Sequence, residues 1–265
     1  MDMYSIFIAV FSVSAIGAIL AAILCIASKF MNVKVDERLS QLDEIMPGAN
    51  CGACGFPGCS GFAKALLSGN AKPNECPPGG PDLVKKISAI LGVEAESIEQ
   101  KIAVVCCSGD RNVRQKKMEY FGLQSCEAAK TLFGGDNACA NGCLGFGDCQ
   151  VVCPSNAICM LDGLARIIYE NCTGCNLCVK ACPNRLISIE KAGIPVLIAC
   201  KNTEKGAVTR KKCSSGCIAC TKCVKECPDG AITIENNLAK IDYTKCSGCG
   251  KCVAVCMTKC IHKPR

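Results

Sequence analysis

Histidine and the large aromatics are scarce in this 265-residue chain. There is one histidine, His262, no tryptophan, and aromatic residues make up 5% of the sequence. A nucleophile–histidine pair could therefore be built only with His262, near the tail. No G-x-G-x-x-G follows a strand-like run, and no G-x-x-x-x-G-K-[S/T] loop is present. The chain is accordingly not expected to bind nicotinamide or flavin by itself, and any such chemistry would belong to partners. Half the residues are hydrophobic, enough for a membrane segment and one to three small domains.

What the chain has in excess is cysteine, 28 residues in all. A disulfide framework is the usual reading of such density, but in short secreted chains. Here the cysteines fall mostly two or three residues apart, a spacing that lets several thiolates converge on one metal centre. The formal charge of +7 counts every thiol as neutral. Five [4Fe–4S]2+ clusters on four thiolates each would add about −10 and leave roughly −3. The basic balance is thus no argument for nucleic acid.

Residues Ser5 to Ser28, SIFIAVFSVSAIGAILAAILCIAS, carry no charge. A helix of that length spans roughly 36 Å, enough to cross a bilayer core. A cleaved signal would have a basic leader and a small-residue cleavage box; this segment follows Asp2 and has neither, so a retained single-pass helix is expected. Lys29 and Lys34 lie after it, which puts the C-terminal bulk in the cytoplasm, a compartment that keeps thiols reduced. Ser14, Ala18 and Ala22, with Gly17 and Ala21, form small-residue rows suited to packing against other membrane helices.

Cys172, Cys175, Cys178 and Cys182 in CTGCNLCVKACP follow C-x2-C-x2-C-x3-C-P, the bacterial ferredoxin run, in which the fourth cysteine serves the neighbouring cluster. Structural zinc favours separated C-x2-C pairs instead. Cys246, Cys249, Cys252 and Cys256 repeat the run, with Met257 where the proline would stand. A shift of 74 residues relates the two, and it carries Cys126, Cys139, Cys143, Cys149 and Cys153 onto Cys200, Cys213, Cys217, Cys223 and Cys227. AICMLDGLARIIYENC and AITIENNLAKIDYTKC match under the same shift, which reads as an internal duplication of a two-cluster ferredoxin-like unit. Alternating stretches around Asp162–Gly163 and Asn236–Asn237 predict hairpins; VKAC and VAVC predict short helices.

Swapping fourth ligands assigns Cys217, Cys220 and Cys223 with Cys256; Cys246, Cys249 and Cys252 with Cys227; and Cys172, Cys175 and Cys178 with Cys153. The remaining cluster has Cys143, Cys149 and Cys182, but Phe146 stands opposite Cys220. Cys139, four residues before Cys143, is the nearest fourth ligand, with Cys126 as rival.

Upstream, Cys51, Cys54 and Cys59 in NCGACGFPGC, followed by Cys76, form a further four-thiol set, read as a [4Fe–4S] site whose Gly52, Gly55 and Gly58 let the backbone wrap closely. Five [4Fe–4S] clusters are thus expected. Cys25, Cys106, Cys107, Cys126, Cys159, Cys200, Cys213 and Cys260 are left over. Cys126, Cys139, Cys200 and Cys213, with Cys106 or Cys107, leave room for redox-active pairs or a sixth cluster. Residues 82–107 read as a helix closed by Gly92 and then a strand, KIAVVCC, packed between cluster domains. Two basic stretches, Arg111, Arg114, Lys116 and Lys117, and Lys201, Lys205, Arg210, Lys211 and Lys212, could receive an acidic electron carrier.

One N-terminal apolar helix, then GANCGACGFPGC with Cys76, then NGCLGFGDCQVVCP at 141–154 and paired ferredoxin runs: this order resembles the B subunit of the Rnf electron-transport complex over essentially the whole chain. Phe146 and Met257 depart from the simplest ferredoxin pattern. The resemblance implies a bacterial cell-membrane complex that exchanges electrons between ferredoxin and NAD and couples this to Na+ or H+ translocation. The B subunit would take electrons from ferredoxin and relay them to flavin- and NAD-binding and transmembrane partners. Competing readings are the electron-transfer subunit of a membrane hydrogenase or formate dehydrogenase, and a zinc-binding structural or redox-sensing protein. The expected α+β organisation is a transmembrane helix over 1–30, a linker over 31–46, a 4Fe–4S domain over 47–80, a connecting α/β element over 81–125, and ferredoxin-like units over 126–190 and 191–265.

Overall fold

A computed structural model describes residues 3–30, 36–94 and 100–264. Asp2 and Lys34, on which the topology expectation rests, lie outside the described residues, as do residues 31–35 of the stretch expected to link the first helix to the rest. The chain divides into two bodies, Met1–Gln41 and Leu42–Arg265. In the first, α1 (Met3–Phe30) is apolar on all sides, and its window Phe11–Ser28 is long and apolar enough to cross a membrane. Such a helix has no amphipathic face with which to choose a protein core over lipid.

α2 (Glu37–Ile45) leads into the second body and buries Leu42 there. α3 (Gly58–Leu67) buries Phe62, Ala63, Ala65 and Leu66. α4 (Gly80–Leu91) buries Leu83, Val84 and Ile87, a stripe at helical spacing. Pro81 sits in its first turn, where a missing N–H costs nothing, and Gly92 closes it in the left-handed conformation with its N–H on the Ser88 carbonyl at 2.8 Å. Burying each of Leu42, Phe62 and Ile87 is worth about 1.5–3 kcal/mol.

The remainder is built from short elements: β1 (Lys101–Val105), α5 (Cys126–Thr131), α6 (Asp148–Val151), β2 (Ile158–Leu161), β3 (Leu164–Ile167), α7 (Leu177–Ala181), β4 (Ile187–Lys191), β5 (Leu197–Ile198), α8 (Gly206–Lys212), α9 (Lys222–Lys225), β6 (Ile232–Glu235), β7 (Leu238–Ile241), α10 (Lys251–Val255) and β8 (Ile261–His262). β2–β3 and β6–β7 are antiparallel hairpins in the same register, Ile158 opposite Ile167 and Ile232 opposite Ile241. Asp162–Gly163 and Asn236–Asn237 turn them, all four at positive φ, as two-residue hairpin loops require. α6, β2, β3 and α7 each lie 74 residues before α9, β6, β7 and α10.

β1, expected in the connecting element, pairs antiparallel with β4, just as β5 pairs with β8. The Cys106 N–H donates to the Leu186 carbonyl at 2.7 Å, and the Ala199 N–H donates to the Cys260 carbonyl at the same distance. Leu186 and Cys260 are 74 residues apart, so the structural counterpart of Cys200 is Cys107. The 74-residue shift alone had matched Cys200 with Cys126. Each half has its own small core, one around Ile158, Leu164 and Ile187, the other around Val196, Ile232 and Ile261, and buried thiols make up much of both.

Candidate iron–sulfur centres

The cysteines gather around separate cavities. Cys51, Cys54, Cys59 and Cys76 line one of about 320 Å3. Gly52, Gly55 and Gly58 there have positive φ, and the Asn50 side chain accepts the Cys59 N–H at 2.8 Å. A Cβ on Gly58 would come within 2.9 Å of the same Asn50 oxygen, so glycine is needed for this loop to close. Burial pushes the Cys76 thiol up to about 11, and Cys54, Cys51 and Cys59 reinforce it.

Cys217, Cys220, Cys223 and Cys256 line a cavity of about 370 Å3. Cys172, Cys175 and Cys153 all act on Cys178, whose thiol burial pushes up to about 12. Cys246 and Cys249 act likewise on Cys252, and Cys227 packs against the same core. The structure therefore brings together the first two of these sets and the Cys246, Cys249 and Cys252 part of the third, with Cys227 in the core of the same half.

The set with the unresolved fourth member is assembled differently from the expectation. Cys143, Cys149 and Cys182 line a cavity of about 400 Å3 with Cys126, not with Cys139. The reason is local. The Asp148 carboxylate, beside Cys149, accepts the N–H groups of Cys126 at 2.8 Å and Glu127 at 3.1 Å and the Ser125 hydroxyl at 2.9 Å. These bonds cap α5 and dock its first residue, Cys126, on the Cys149 turn. Phe146, in the place of a ligand, packs edge-on against Tyr120 with ring centroids 5.4 Å apart. Cys139 lies in a different cavity, of about 420 Å3, with Cys107, Cys200 and Cys213.

The thiols also carry the hydrogen bonds expected of cluster ligands. N–H groups of Ala157, Ala103 and Leu186 donate to the sulfurs of Cys153, Cys172 and Cys182, each at 3.3 Å. Among the described residues no three His, Cys, Asp or Glu side chains converge tightly enough to hold one metal ion. Zinc, at about 2.3 Å from each sulfur, would draw four thiolates to within about 4 Å of one another. Thiols spread around a cavity suit a multi-iron core. Burial raises the thiols of Cys76, Cys149, Cys178 and Cys223; an iron–sulfur core reverses that preference because its positive metal favours thiolate.

Cys260 escaped the sequence reading. It occupies the place of Leu186 in the 74-residue repeat, is buried, and its sulfur lies 3.7 Å from that of Cys256. Its thiol also hydrogen-bonds Cys217, which lowers Cys217 to about 6 and Cys256 to about 5, while Cys260 itself is pushed up. In the basic stretch at 111–117, Arg111, Lys116 and Lys117 are exposed and one residue is turned inward. Arg114 is buried, Lys116 pairs with Asp136 at 3.3 Å, and Lys117 donates to the Phe133 carbonyl at 2.6 Å. In the second stretch Lys212 pairs with Glu204, leaving Lys205, Arg210 and Lys211 exposed.

Comparison with known proteins agrees with these centres. Residues 46–78 match the model of a putative Fe–S cluster, and residues 171–231 and 216–260 match a 4Fe–4S dicluster domain. The B subunit of the Na+-translocating ferredoxin:NAD+ oxidoreductase complex of Acetobacterium woodii is 41% identical over 92% of this chain and 74% of its own length. That of the proton-translocating ferredoxin:NAD+ oxidoreductase complex of Clostridium ljungdahlii is 37% identical over 92% and 86%. That of the ion-translocating oxidoreductase complex of Methanosarcina acetivorans is 37% identical over 94% and 95%. With thiol cavities of this kind, 4Fe–4S matches and such identity along nearly the full chain, the protein belongs to the family of B subunits of the ion-translocating oxidoreductase, or Rnf, complexes.

Proposed function

We propose that the chain is a membrane-anchored electron conduit of an ion-translocating ferredoxin:NAD oxidoreductase complex. α1 anchors it by a single pass, with the thiol-rich body on the cytoplasmic side. Cys51, Cys54, Cys59 and Cys76 hold one [4Fe–4S] cluster; Cys172, Cys175, Cys178 and Cys153 a second; Cys143, Cys149, Cys182 and Cys126 a third; Cys217, Cys220, Cys223 and Cys256 a fourth; and Cys246, Cys249, Cys252 and Cys227 a fifth. The last four belong to two duplicated ferredoxin-like units. A [4Fe–4S] cluster supplies a one-electron redox centre that needs no bond made or broken.

The observation that carries the reading is adjacency. Cys175 is close enough to Cys51 for their charges to interact, and Cys149 stands in the same relation to Cys178. The first three sites therefore form a continuous series from the Cys51 site inward. The chain's own residues hold each site with thiolates, shield it by burial and steady the sulfurs with backbone N–H groups. Ferredoxin would dock at the far half, where Arg210 and Lys211 are exposed, and the Cys51 site would face the membrane partners.

Anaerobically assembled full-length protein should hold at least about 20 iron and as much acid-labile sulfide, at four iron per cluster. Mostly zinc with little sulfide would overturn the reading. Cys51→Ser should leave the distal centres reducible by ferredoxin while blocking transfer to the membrane partners; loss of both would reverse the proposed order.

A further inference from the structure

We propose that Cys107, Cys139, Cys200 and Cys213 hold a sixth [4Fe–4S] cluster that relays electrons between the two ferredoxin-like halves. The site's own geometry carries the proposal, and its role as a relay rests on the conduit reading above.

Three distant segments supply the four thiols, and main-chain pairing brings them together. On one side the Gln115 N–H donates to the Lys212 carbonyl and the Ser214 N–H to the Val113 carbonyl, each at 2.9 Å, with Arg114 opposite Cys213. On the other the Ala138 N–H donates to the Gln115 carbonyl and the Lys117 N–H to the Asp136 carbonyl, each at 2.8 Å. Residues 113–117 are thus clamped between 212–214 and 136–138, which sets Cys213 and Cys139 beside each other. Cys107 comes from the end of β1. Side chains alternate along the strand, so Cys106 faces Ser188, 3.6 Å away, and its neighbour Cys107 enters the cavity.

The cavity, about 420 Å3, matches those of about 400, 370 and 320 Å3 at three of the regular four-cysteine sites. Backbone amides lie beside three of its thiols, those of Cys143 and Gly109 beside Cys107, that of Asn141 beside Cys139, and those of Ser215 and Gly216 beside Cys213. The Cys217 N–H donates to Cys200 at 3.3 Å, the same distance as at Cys153, Cys172 and Cys182. Gly109 forms part of the wall. A Cβ there would lie 3.2 Å from the Cys213 sulfur and 3.8 Å from that of Cys107, intruding on the space between the thiols.

The polar lining is a second, independent observation. Of the five buried polar or charged residues among the described ones, Arg114, Asn137, Asn202 and Thr209 all line this cavity. The Arg114 guanidinium donates to the carbonyls of Cys143, Gly109 and Gly163, and its Nε is buried without a partner. A buried, permanently positive group needs an anion nearby. A cubane on four thiolates, at about −2 overall, supplies one.

The neighbours of Cys107 and Cys200 define the relay. Cys143 belongs to the proposed centre of the first half and lies beside the Cys107 thiol, and Cys217 belongs to that of the second and donates its main-chain N–H to the Cys200 sulfur. One electron would arrive from one neighbour and one leave to the other, with no bond broken and no proton moved. Assembly releases the four thiol protons to solvent.

The test uses the full-length protein in detergent, assembled anaerobically with iron and sulfide. Wild type should contain ~24 iron and ~24 sulfide per chain, four more of each than five cubanes require. Cys139→Ser/Cys213→Ser should lose about four of each and retain the reduced-cluster signals of the rest. Wild type at about 20 of each with an unchanged double variant would overturn the sixth site while leaving the conduit intact, and so would one zinc per chain beside about 20 iron. Should the variant fail to fold, native mass spectrometry of wild type decides between six and five cubanes. The relay role predicts that ferredoxin-driven reduction of the Cys51 centre slows by at least about tenfold in the double variant while dithionite still reduces it. An unchanged rate would overturn that role.

Discussion

Asp148 shows how a single side chain can place a thiol. Its carboxylate takes three hydrogen bonds from the start of α5, and that cap brings Cys126 to the cavity of Cys143, Cys149 and Cys182. Burial acts to raise the carboxyl, but the bonds from Cys126, Glu127 and Ser125 outweigh it and hold it below the ordinary carboxylate range. Hydrogen bonds to a charged group are worth about 1.5–3 kcal/mol each, so Asp148→Ala should destabilise the body by about 2 kcal/mol or more. It should also lose about four iron as α5 releases Cys126. Asp148→Asn, which keeps one acceptor, should retain more of both; thermal unfolding and iron analysis check the order. Cys139 is nearer to Cys143 in sequence, and proximity along the chain favoured it. Proximity in space is set by this cap, whose aspartate is 22 residues from the cysteine it positions.

At the scale of elements, the ferredoxin-like hairpins and short helices were legible because their signals are local. Asp162–Gly163 and Asn236–Asn237 tolerate positive φ, and the flanking short apolar runs supply the buried Ile158, Leu164, Ala165, Ile232 and Ala239. The membership of β1 was not legible, since a strand's partner is a matter of topology; β4 lies more than 80 residues downstream. Gly174 marks how closely the Cys172 loop meets the start of β1. Its φ is +68°, and a Cβ would fall 2.5 Å from the Lys101 carbonyl oxygen. Gly193 has a similar positive φ but open space around it. Gly193→Ala should therefore cost only the left-handed strain, about 1–2 kcal/mol, whereas Gly174→Ala should cost clearly more and loosen the Cys172–Cys178 loop. Comparing the two midpoints in denaturant, with iron retention, separates strain from collision.

For the whole molecule, the sites follow one another from the Cys51 cavity through the first half to the second. In the proposed assignment each site beyond the Cys51 site borrows a thiol from a separate run, and buried thiols form part of both cores, so cores and centres would stabilise together. α1 stands apart from this cooperation as part of a separate body. Deleting residues 1–30 should move the protein from the membrane to the soluble fraction with its iron and sulfide per chain unchanged. Retention in the membrane fraction, or loss of iron, would count against α1 as a simple anchor.

Sequence alone determined what depends on short-range spacing: the apolar span, the C-x2-C-x2-C-x3-C runs, the NCGACGFPGC loop and the 74-residue repeat. A run of that spacing can present three thiols to one core whatever the rest of the chain does. Tertiary structure decided Cys126 over Cys139, united Cys107, Cys139, Cys200 and Cys213, and turned Arg114 inward. Those outcomes hang on a capping carboxylate and on residues 113–117 pairing with segments from both halves. Such long-range hydrogen bonds leave no periodic trace in the sequence, because the main chain that makes them is the same at every residue.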